Sequence, residues 1–196
     1  MAIIFCLLGK SASGKNTILS KLIKYELGLI PIICYTTRQK RINEIDGIDY
    51  HFVEKQKEIE LTTQYKVIAY RKYHTLLGKY SYFFLDDNTV KRNTNNRYIV
   101  ILGLKEYLMF QNYFYTPCLV PIYVHINFRH RVRRLFKRNQ NRFQLEMIRR
   151  LIYDAFYYRK RSLTKAGINH VVKNKDIDSC ILEIQNYITC FNACKR

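Results

Sequence analysis

The chain has 196 residues, enough for one well-cored domain with a small inserted subdomain and too few for a second independent one. Apolar runs stay well short of the roughly 18 residues a membrane-spanning helix needs, so no membrane span is expected and a cytoplasmic protein is. The 34 Lys and Arg against 15 Asp and Glu leave a net charge of +19, which calls for anionic ligands and also permits nucleic-acid binding.

Short apolar runs alternate with helical segments, the pattern of an α/β domain. The first run, 2–8, predicts a buried strand, and a helix pattern at 15–26 follows at once. Between them lies Gly9-Lys10-Ser11-Ala12-Ser13-Gly14-Lys15-Asn16-Thr17. Glycines at both ends let the backbone curl so that successive N–H groups point inward, and the helix adds its positive end. The stretch therefore reads as a phosphate-binding loop for ATP. Lys15 reaches the β- and γ-phosphates in this reading. The residue after the lysine is usually Ser or Thr to hold Mg²⁺, and here it is Asn16, so Asn16 or Thr17 is the candidate Mg²⁺ contact.

A strand is predicted at 32–34, and the pattern then changes over about 35–90 to polar loops and Tyr-rich alternation, read as a small β-rich insertion. Strands at 98–102, 119–126 and 169–172 and helices at 104–112, 129–138, 144–161 and 176–190 complete the core, taken as 1–34 and 91–196. The segment Arg138-Asn139-Gln140-Asn141-Arg142 interrupts two arginine-rich helical patterns and predicts a mobile hairpin, a lid at about 135–145. Six scattered cysteines lack paired C-x-x-C spacing, which argues for reduced thiols.

The second informative stretch is Tyr35-Thr36-Thr37-Arg38-Gln39-Lys40-Arg41, followed by Glu44 and by Asp46-Gly47-Ile48-Asp49-Tyr50-His51-Phe52. Arg38 and Arg41 can clamp a phosphate dianion, and Tyr50 can add a phenolic donor. The stretch resembles the acceptor-phosphate motif of the guanylate kinase family. That resemblance implies a P-loop NTPase core with a parallel sheet flanked by helices, a β-rich acceptor-binding insertion and a helical lid, in a single domain over 1–196. It also implies that Arg134, Arg138 and Arg149 close over ATP and stabilise the transferring phosphoryl group, with Arg149-Arg150-Leu151 matching a family motif. Asn174, after Val171-Val172-Lys173, resembles a residue abutting the adenine of ATP.

Four departures touch the acceptor. Cys34 replaces a phosphate-binding serine, and a thiol is a weaker donor. Ala69 falls where the family places the glutamate that reads guanine. Tyr73 and Thr75 stand in for a lost Gly-Asn-Tyr-Tyr-Gly turn, and the strand ending Ile101-Leu102-Gly103 lacks its usual aspartate. Glu44, Asp46 or His74 are the substitutes for the missing base-reading acid. The expected activity is transfer from ATP, with Mg²⁺, to a nucleoside monophosphate, GMP or dGMP first. A phosphorylated ribose is a second acceptor, and a catalytically weak module binding nucleic acid or an acidic protein is a third reading, disfavoured by the intact Lys15.

Overall fold

The computed structural model describes all residues except 26, 76–77, 115, 139–144 and 194–196, and the side chains of 75, 116, 138, 146, 192 and 193. In chain order the elements are β1 (Ile3–Leu8), α1 (Lys15–Lys24), β2 (Leu29–Pro31), β3 (Tyr35–Thr36), β4 (His51–Phe52), α2 (Lys55–Gln64), β5 (Val67–Thr75), β6 (Gly78–Leu85) and β7 (Arg97–Ile101). Then follow α3 (Leu104–Tyr113), a 3₁₀ turn (Thr116–Cys118), β8 (Leu119–His125), α4 (Phe128–Arg138), α5 (Leu145–Tyr157), α6 (Lys160–Lys165), β9 (Val171–Lys173) and α7 (Ile177–Ala193). No described helix is long and apolar enough to cross a membrane.

Five strands form a parallel sheet in the order β2-β7-β1-β8-β9. The central strand β1 is apolar at every position because both of its faces are covered, as parallel sheets require. Its side chains alternate between two cores. Ile4, Cys6 and Leu8 pack with Val100, Tyr107 and Phe110 on the α3 side. Phe5 and Leu7 pack with Ile18, Leu22, Ile184 and Ile188 on the side of α1 and α7. The carboxyl ends of β1 and β7 therefore open at one edge, where α/β sheets place their ligands.

The second sheet, β4-β3-β6-β5, is built around the antiparallel β5–β6 pair. A register shift between Val67 and Ala69 turns both Ile68 and Ala69 inward. Thr36 and Thr37 pin β3 to Ser81, through Thr36 Oγ1 to Ser81 O at 2.8 Å and Ser81 N to Thr37 Oγ1 at 2.9 Å.

Three expectations about elements are corrected. The strand expected at 32–34 lies at Leu29–Pro31, paired with β7, with Ile32 N extending the ladder to Ile99 O at 2.9 Å. Pro31 is accommodated because β2 is an edge strand needing donors on one side. The helix expected over 144–161 is two helices, since Arg159 is extended (φ −73°, ψ 150°) and caps α6. The β-rich insertion contains α2, which buries no side chain. Its Lys, Glu and Gln residues favour helix without an apolar stripe. It is held instead through Glu58, which accepts from Ser81 Oγ at 2.7 Å and from Tyr70 Oη.

Candidate active site

The loop after β1 has the geometry of an anion cradle. Gly9 has φ +153°, and a Cβ there would lie 2.6 Å from Val124 O. Gly14, at φ +95°, caps α1, whose first turn carries no acidic residue. Ala12 also sits in the left-handed region at φ +60°, which costs a non-glycine residue about 1–2 kcal/mol. Ser13 is fully buried. Lys15 Nζ donates to Gly9 O at 2.7 Å and Lys10 O at 3.1 Å, folding back over the loop. Burial pulls its ammonium down to about 8, with Asp154 opposing and Arg131 adding to the fall. Asn16 and Thr17 lie exposed on the first turn of α1 and line the cleft.

Three elements close around this loop. Asn174, just beyond β9, donates from Nδ2 to Ser13 O at 2.7 Å, and its Oδ1 is buried without a partner among the described residues. A Cβ on Gly14 would lie 2.6 Å from Asn174 Nδ2 and 3.2 Å from Arg134 Nη1, so glycine here lets both approach. From α5, Asp154 accepts from Ser11 N at 2.8 Å and from Arg131 Nη2 at 2.9 Å. Arg131, one of the arginines that make up the positive excess, does not face solvent. It is instead 2% exposed, paired with Asp154 at 5%. Apart from Glu146, Asp154 is the one acid among the many cations of 128–161, and that isolation is the signal that could have singled it out.

Arg134, Arg149 and Arg150 line the same cleft as the loop. The side chain of Arg138 and most of the expected lid lie outside the described residues, as does the side chain of Thr75.

Across the cleft, which has a volume of about 1700 Å³, stands Arg41, with Arg38 behind it and outside the cleft lining. Arg38 is largely covered: Nε donates to Tyr82 Oη at 2.9 Å and Nη2 to both Glu44 oxygens at 2.9 Å. Its guanidinium carbon lies 5.4 Å from the Tyr50 ring centre and 5.6 Å from that of Phe52. Arg41, more exposed, shares Glu44 at 3.4 Å and faces the cleft with Tyr50 and Tyr82. Burial holds the Tyr50 and Tyr82 phenols above their ordinary range, so both remain donors at neutral pH. Cys34 faces the cleft, but its thiol donates to Tyr35 O and Phe83 O; burial raises its pKa well above that of a free thiol.

The three expected substitutes for a base-reading acid are committed elsewhere or exposed. Glu44 holds Arg38 and Arg41, Asp46 accepts from Phe52 N at 2.8 Å, and His74 lies exposed on β5. Ala69 is 2% exposed within the α3-side core and does not line the cleft. Two pairings went unread in the sequence: Tyr82 as the partner of Arg38, and Arg71 with Glu106 at 3.1 Å on the cleft wall. No local motif marks either, because each joins residues 35 or more positions apart.

A family model described as guanylate kinase matches residues 2–190. The guanylate kinase of Oceanobacillus iheyensis is 31% identical over 103 residues, covering 53% of this chain and 48% of that protein. That of Wolbachia pipientis wMel is 25% identical over 188 residues, covering 95% and 89%. The chain thus spans about half the length of the Oceanobacillus relative and nearly all of the Wolbachia one. The crystal structure of guanylate kinase from Anaplasma phagocytophilum superposes with a TM-score of 0.69 at 18% identity, covering 96% of this chain and 85% of that one, which is a likeness of fold. With a parallel sheet, a phosphate loop and Arg41 across the cleft from it all present, and the family model matching residues 2–190, the chain belongs to the guanylate kinase family.

Proposed function

We propose that the protein transfers the γ-phosphoryl group of ATP to a nucleoside monophosphate, with GMP or dGMP as acceptor. The observation that carries this reading is the facing of two phosphate-binding groups across one cleft: the glycine loop with Lys15 on one wall, and Arg41, Tyr50 and Tyr82 backed by Arg38 on the other. A hydrolase acting on ATP needs the first group alone. Relatives named guanylate kinase support GMP as the acceptor.

Transfer between two phosphates asks the protein for positioning and charge neutralisation more than for covalent help. The loop amides and Lys15 hold the donor phosphates. Arg38, fixed by Glu44 and Tyr82, stiffens the acceptor clamp so that Arg41 and the two phenols present donors without reorganising. Arg134 and Arg149, which line the cleft with the loop, supply positive charge there. The acceptor phosphate is already anionic and needs no general base.

The exposed amide oxygen of Asn16 and hydroxyl of Thr17 are hard oxygen ligands on the cleft wall, and they fit Mg²⁺ or its water shell. Bound there, Mg²⁺ would neutralise charge on the donor phosphates.

A coupled ADP-release assay with each nucleoside monophosphate tests the reading. Turnover is expected with one of them, falling by roughly 100-fold or more in Lys15→Ala and in Arg38→Ala. ADP release no higher than that of Lys15→Ala with every acceptor tested would sink it. The three acids expected to stand in for a base-reading group are committed elsewhere or exposed, so ribose 5-phosphate, the second acceptor, belongs in the same panel.

A further inference from the structure

The outward side of α4 is cationic. Arg129, Arg133 and Lys137 stand four residues apart, which sets them in one row with about 6 Å between neighbours along the helix axis. All three are exposed, as is His130 beside them, whereas Arg131 and Leu135 on the opposite side are buried. None of the four exposed groups has an acid partner among the described residues, and α4 contains no Asp or Glu. Like charges at this spacing weaken a helix. Folding therefore gives no reason for the row, and an anionic ligand does.

The positive strip continues past the start of the helix. His125, at the end of β8, and Lys173, at the end of β9, are exposed and face each other in the register of those strands. Two residues on, Asn127 caps α4 by accepting from Arg129 N at 3.1 Å. Desolvation, then the nearby charges of Lys10 and Lys173, hold the His125 imidazole below its ordinary pKa, so cations crowd here as well. At the head of the row stands Phe128, 63% exposed. Apart from Lys137, which also lines the cleft, these residues lie outside it.

A linear run of unpaired cations with an exposed ring at one end is complementary to a chain of phosphodiesters whose bases are free to stack. A mononucleotide is too short to use it, since the row on α4 alone spans about 12 Å. A bilayer needs a broad apolar face, which one ring at the head of a cationic row does not supply. We infer that the outer face of α4, from Phe128 to Lys137 with His125 and Lys173 beside it, binds single-stranded nucleic acid. The cations hold successive phosphates, and Phe128 stacks on a base. This binding goes beyond the transfer reading and needs none of the chemistry of the cleft.

Fluorescence anisotropy of labelled oligo(U) and oligo(dT) of about 20 nucleotides, titrated with the full chain at several salt concentrations, tests the inference, the two probes separating RNA from DNA. The wild type is expected to bind one or both with a Kd of about 10 μM or tighter at about 0.15 M salt. Arg129→Gln with Arg133→Gln should weaken binding by about 10-fold or more and flatten the slope of log Kd against log salt by about 1.4, two phosphate contacts at about 0.7 each. Phe128→Ala should lose about 5-fold or more with the slope unchanged. Lys55→Gln with Lys79→Gln removes the same charge from exposed positions of the insertion and should change affinity by less than about 2-fold. An equal loss in that control pair would assign the binding to net charge and overturn the inference. So would unchanged affinity in the arginine pair or in Phe128→Ala, or equally tight binding of poly-glutamate or phosphatidylglycerol vesicles, which carry no bases. The kcat of the nucleotide reaction should be unchanged in both α4 variants, and a fall in step with oligonucleotide binding would place the row in the transfer site and overturn it too. Absence of turnover in every form, with the binding pattern intact, would refute the kinase reading and leave this surface standing.

Discussion

In the proposed transfer Lys15 carries the donor half, and its titration gives a direct test. Its ammonium falls from an ordinary 10.5 to about 8 because burial disfavours the charge. Below pH 8 the free enzyme carries the cation that attracts a triphosphate; above it that cation is lost. The value of kcat/KM for ATP should therefore decline on the alkaline side with an apparent pKa near 8, and the decline should vanish from the residual activity of Lys15→Ala. The stability effect has the opposite sense. The unfolded chain holds this proton up to pH 10.5 and the folded one releases it near 8, so the contribution of Lys15 to stability rises across that window. Urea melts of the ligand-free protein between pH 8 and 10.5, against Lys15→Ala, measure it. At this scale the sequence was readable where the loop and the clamp are runs of contiguous residues. Gly9 to Thr17 and Arg38 to Tyr50 needed no fold to be recognised. The Arg71–Glu106 pair was not readable, because its members stand 35 positions apart and only the packing of α3 against β5 brings them together.

The helices α4 and α5 carry Arg134, Arg149 and Arg150 of the cleft, and they are tied to the phosphate loop by a buried pair. Asp154 joins Arg131 of α4 to Ser11 N of the loop, so loop position and helix position are coupled through a single carboxylate. Asp154→Ala leaves Arg131 buried without its partner and frees Ser11 N–H, and is expected to cost about 3–5 kcal/mol. Replacing both partners by apolar residues, Arg131→Met with Asp154→Leu, should restore most of that loss. The restored protein would still bind ATP more weakly than the wild type, because Ser11 N–H stays unheld. Urea melts give the first two values, and nucleotide titration gives the third. Elements were legible in proportion to their apolar pattern. The strands β1, β7 and β8 and the helices α1, α3 and α7 lie within a few residues of their predicted limits. The helix α2 escaped because it packs through Glu58 rather than through an apolar stripe, and the break at Arg159 escaped because neither glycine nor proline marks it.

Over the whole molecule the excess of positive charge acts as a field. With +19 spread over 196 residues, the approach of the proposed anionic substrates, ATP and the acceptor, should be steered toward the cleft. Raising ionic strength from about 0.05 M to 0.3 M should lower kcat/KM for both substrates several-fold while changing kcat little, since screening lengths drop below about 10 Å. Part of the charge is structural, as the burial of Arg38 and Arg131 beside carboxylates shows. The architecture followed from the alternation of buried strands and helices, whereas the acceptor wall, assembled from β5, α3 and α5, had no counterpart in any single stretch. The proposed function makes the loop and the arginine pair two halves of one transfer site. It is tested most directly by mixing ATP labelled in its γ-phosphate with GMP and the enzyme, and separating the nucleotides after a single turnover. The label is predicted to appear in the β-position of GDP, and to be absent from it in Lys15→Ala. Label appearing solely as inorganic phosphate, or remaining in ATP with every nucleoside monophosphate tested in place of GMP, would contradict the account.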